Sequence, residues 1–73
     1  MKISYDSQVD TLYIRLLDKP VEVITQRLTE EVAMNDAPDG RIVGIEILDA
    51  SEYVFGPGVS PVVTVQGLIA VSA

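Results

Sequence analysis

Eleven Asp and Glu residues stand against five Lys and Arg in a chain of 73 residues that has no His and no Cys, so its reactive chemistry is carboxylate chemistry or none. The most suggestive spacing is Asp39-Gly40, five residues, then Glu46, which matches the second half of a calcium-binding EF-hand loop. Asn35 would occupy the first position of that loop and Ala37 the third. One ligand is thereby weakened and another missing. The flanks read as strands and not as the helices such a loop needs, and on an extended strand Glu46 lies about 20 Å from Asp39. Asp36, Asp39 and Glu46 are kept only as weak metal candidates.

Asp6 and Asp10 are a second carboxylate pair. Two carboxyls at a defined separation can act as acid and base in glycoside hydrolysis, but they need a cleft that raises one pKa. A domain of this size offers little depth, and Asp is a common turn former. Glu46 interrupts an apolar strand, and Arg15 or Arg41 on a neighbouring strand would supply a structural partner for it. Without His or Cys, a Ser, Thr, Lys or Tyr nucleophile would lack its usual base. Gly56-Pro57-Gly58 lacks the G-K-[ST] of a phosphate loop and reads as a hinge. No catalytic residue and no cofactor are expected.

The elements that position these groups follow from periodicity. Ile3 and Tyr5 alternate with Lys2, Ser4 and Asp6, and Leu12, Ile14 and Leu16 alternate with Tyr13, Arg15 and Leu17, which predicts two strands joined by a turn at Asp6 to Asp10. Pro20 ends the second strand. β-Branched residues dominate Val21 to Thr25, and a long or bulged third strand is expected to pass through Gln26 to Glu31 and continue at Val32 to Asn35. Asp36-Ala37-Pro38-Asp39-Gly40 is a tight turn, with Gly40 free to take a positive φ. Arg41 to Asp49 returns as a strand with two apolar faces, which suits a central position. Ser51 to Phe55 can form one helical turn capped by Asp49 or Ser51.

Every charged side chain lies at or before Glu52, so residues 53–73 form an uncharged tail. Val62 to Val65 and Leu68 to Val71 read as strand. The run is too short to cross a bilayer, which takes roughly 20 apolar helical residues. Exposed on an edge it would invite aggregation, so the tail is expected to pack on the sheet or across a dimer interface, with Ile42, Leu48, Val63, Val65, Ile69 and Val71 as interface candidates. Net charge of -6 and scattered cations argue against nucleic acid. The amino terminus lacks the apolar core of a signal peptide, so a cytoplasmic location is expected.

Three separated segments carry a resemblance: Tyr5-Asp6, the D-x-L-Y-I of Asp10 to Ile14, and D-G-R-I-V-G-I-E-I-L-D-A-S from Asp39 to Ser51. Together they resemble a family of small bacterial and archaeal proteins catalogued as domain of unknown function 2283, over roughly Met1 to Ser51. That family typically carries an acidic D-x-D-x-D-G turn, from which Asn35 and Ala37 depart. The resemblance implies a small, mostly β domain with no established activity or catalytic residues, and an antitoxin-like partner of a small toxin is one role it suggests. The combined expectation is a mainly β protein: an antiparallel sheet of four to five strands over residues 1–52, a tail over 53–73, and action as a homo-oligomer or on another protein.

Overall fold

A computed structural model describes residues 1–17 and 22–67. Five strands, β1 (Lys2–Asp6), β2 (Thr11–Arg15), β3 (Ile24–Arg27), β4 (Val32–Asp36) and β5 (Ile42–Ile47), form one antiparallel sheet in the order β1-β2-β5-β4-β3. As its two apolar faces suggested, β5 is the central strand. A single π-helical turn, Ser51–Phe55, follows.

Two hairpins flank β5, and their turns show why the chain reverses where it does. The Asp6 carboxylate accepts the backbone N–H of Gln8 at 3.0 Å, and Asp10 takes a left-handed φ of 52°. At the other end, the Thr29 hydroxyl accepts N–H groups from Glu31 and Val32, at 3.2 and 3.0 Å, while Leu28 N–H donates to Val32 O at 2.8 Å. Thr29 therefore closes a full reversal. This corrects the expectation of one long bulged strand: β3 and β4 are separate strands paired with each other, because the hydroxyl accepts two of the turn's backbone N–H groups.

Paired residues share a face of the sheet, and the register separates two unlike surfaces. One cross-strand row runs Ile3, Ile14, Ile45, Met34, Gln26, and the next runs Tyr5, Leu12, Ile47, Val32; this is the apolar face. On the opposite, polar face the rows are Lys2, Arg15, Gly44, Asn35, Thr25 and Ser4, Tyr13, Glu46, Ala33, Arg27. The pairing of β4 with β5 shifts at Asn35/Asp36, where Val43 is the extra residue of a bulge. Leu16 and Leu17 N–H groups both donate to the Val43 carbonyl, which ends β2.

The core is thin. Leu12, Ala33, Ala37, Val43 and Ala50 are its buried side chains among the described residues, and Leu12 is the largest of them. The tail departs from the sequence expectation, since Val62 to Val65 pair with no strand and Val62 is 87% exposed. Gly56 and Gly58, both at positive φ, turn the chain before Pro61, and Val62 and Val63 then face the groove by Ile3 through their side chains without joining the sheet. Leu68 to Val71 lie outside the described residues, as does Val21. Among the described residues no helix is long and apolar enough to cross a membrane.

Candidate functional site

Two places bring chemically distinctive residues together: a carboxylate at the end of the first hairpin, and an apolar groove beside it. The carboxylate is Asp10. Its Oδ1 accepts the Tyr5 hydroxyl at 2.6 Å and the Ser51 backbone N–H at 3.0 Å, and its Oδ2 accepts the Ser51 hydroxyl at 2.5 Å. Its carbonyl accepts Ala50 N–H at 3.0 Å. The left-handed backbone of Asp10 turns both its carbonyl and its side chain toward the chain entering the π turn. Ala50, wholly buried, fits beneath this junction.

This arrangement is a latch. It joins β1, the first turn and the chain after β5 through one side chain, and it spans 41 positions of sequence. Hydrogen bonds from Ser51 and then Tyr5 favour the charged carboxylate and hold the Asp10 pKa below its usual 3.8. The same bond raises the Tyr5 phenol above its ordinary value. These hydrogen bonds hold three segments of the chain together at one carboxylate. Tyr5 continues inward, with its ring edge-on to Phe55 at 5.0 Å between centroids.

The sequence candidates are dispersed by the fold. Asp6 caps Gln8 while Asp10 latches Ser51, so they do not act as a pair. Asp39 is occupied by its neighbour: Arg41 N–H donates to Oδ1 at 3.1 Å and Arg41 Nε to Oδ2 at 2.7 Å. The Arg41 backbone bond is the main cause of its lowered pKa. Asp36 Oδ2 accepts Gln26 Nε2 at 2.8 Å on β3, and its Oδ1 is buried without a hydrogen-bond partner. Glu46 stands in β5 between Tyr13 and Ala33. Neither arginine expected to pair with it does so, because Arg15 Nε reaches the Leu17 carbonyl at 2.9 Å and Arg41 is engaged by Asp39. The helical turn has no side-chain cap either, since the Ser51 hydroxyl is drawn to Asp10.

Of the interface candidates, Ile42 opens β5 and is exposed, Leu48 follows β5 and is half-buried, and Val63 and Val65 are exposed in the tail. Ile69 and Val71 lie outside the described residues. The groove that reasoning from sequence did not locate has a volume of about 240 Å³. Ile3, Leu12 and Ile14 of the apolar face form its floor, and Val54, Phe55 and residues 61–63 form its opposite wall.

The latch residues were present in the sequence as turn and strand residues. What would have singled them out is their recurrence in the three segments quoted above, Tyr5, Asp10 and Ser51 falling one in each. Gly44 carried another signal, because glycine inside a strand marks a close approach. A Cβ there would collide with the Tyr13 hydroxyl, to which Asn35 Nδ2 donates at 3.3 Å.

An open antiparallel sheet closed at one corner by a buried-alanine junction and a three-way carboxylate latch defines a small mainly β domain. The chain belongs to the family described as Protein of unknown function (DUF2283), whose model matches residues 2–51, ending on the latch serine. No curated protein and no solved structure matches it.

Proposed function

We propose that this protein is a non-catalytic protein-binding or regulatory module that acts as a homo-oligomer through its apolar groove and tail. The observation that carries this reading is the groove itself, bordered by exposed Val54, Val62 and Val63. Contiguous exposed apolar surface on a small protein marks an interaction site, and a core this thin gains by association.

Light scattering on the intact chain and on a Val54→Asp, Val62→Asp variant tests it. Both side chains are exposed, so the charges leave the fold intact. A dimer for the intact chain and a monomer for the variant supports the reading. A monomeric intact chain that also captures no protein from its host would end it. Neutralisation of a small toxin is one form such binding could take.

A further inference from the structure

The sheet order leaves β1 at an open edge, and this edge differs on its two sides. Toward the apolar face it borders the groove, whose floor begins at Ile3. Toward the polar face it carries Lys2, directly opposite Arg15. Like charges across a strand pair are unfavourable. In a chain with more than twice as many acids as cations, neither Lys2 nor Arg15 makes an ion pair among the described residues, whereas Arg41 pairs with Asp39. Arg15 satisfies only its Nε, on a carbonyl, and Arg27, on the same face, likewise donates to the carbonyl of Glu30.

An edge strand that pairs with β2 alone among the described residues, an apolar groove on one side and two cations without an ion pair among those residues on the other are together complementary to one kind of partner. The geometry points to β1 as a docking edge for an extended protein segment in which apolar and acidic residues alternate. Such a segment adds a sixth strand. Its apolar side chains fall on the groove side beside Ile3 and its acidic ones beside Lys2, with Arg15 one strand further in on the same face, because successive strand residues point to opposite faces. Asp6, at the far end of β1 on the polar face, sets the register by repelling acids there, so the acidic residues cluster at the Lys2 end. The inference rests on the protein-binding reading and names the chemistry of the partner.

The test is an amide NMR titration of the full chain with an acetylated, amidated heptapeptide, Glu-Val-Glu-Val-Thr-Val-Thr. Shifts on the amides of Lys2 to Asp6 and at Ile3 and Ile14 are expected, weakened by added salt. Lys2→Glu, an exposed edge change, should weaken binding about tenfold by replacing an attraction with a repulsion. The Lys-for-Glu version of the peptide should fail. Shifts that avoid β1, equal binding of the cationic peptide, or tighter binding of a single-stranded oligonucleotide would overturn the inference. Light scattering on the same samples separates the two conclusions: self-association without peptide binding removes this one alone.

Discussion

Two aspartates, Asp10 and Asp39, occupy comparable places, each at a hairpin turn and each accepting one backbone N–H and one side-chain donor at least. Both have lowered pKa values. Their reach is what differs. Asp39 bonds a residue two positions away, whereas Asp10 bonds one 41 positions away and a second on β1. A local bond stabilises a turn that its sequence already favours. A distant one fixes where a whole segment sits, and its loss leaves several groups without partners at once.

The sharpest way to break this contrast is Asp10→Ala, which strands the Tyr5 hydroxyl and both donors of Ser51. A fall of many degrees in melting temperature by circular dichroism is expected, with loss of the Tyr5 and Phe55 ring contact in NMR. Next is Ala50→Leu, which forces a large side chain into the junction Asp10 closes; overpacking of this kind costs roughly 1–3 kcal/mol, measurable by urea unfolding. A smaller effect comes from pH. Since the folded Asp10 pKa lies below 3.8, its contribution is present above that value and is lost as pH falls through the folded pKa. The stability gap between wild type and Asp10→Asn should therefore hold steady from neutrality to about pH 5 and narrow below 3.8. Smallest of all is Asp39→Ala, where an exposed pair within a turn is removed and the melting temperature should scarcely move. If Asp39→Ala proved as damaging as Asp10→Ala, the distinction between local and distant bonding would fail.

The same contrast explains what could be read in advance. Alternation along Ile3 to Arg15 and Ile42 to Ile47, and turn chemistry at Asp6 to Asp10 and Asp36 to Gly40, depend on neighbours in sequence, and they locate three of the five strands, the central one among them. The third and fourth strands were misjoined because Thr29 acts through a hydroxyl whose partners are visible only in space. Val62 to Val65 read as strand by β-propensity, which depends on a paired neighbouring strand that they do not have among the described residues. Asp10 was legible as a turn former and illegible as a latch, since nothing local announces Ser51.

The latch also ties the close of the family's span back to its first strand. Tyr5, near its start, and Ser51, at its close, hold the two oxygens of one carboxylate. A span tied off at its close in this way can carry unrelated sequence beyond that corner while its five strands stay as they are. Cutting after Ile47 would keep every strand and lose that property, so the portable unit runs to the serine and not to the last strand.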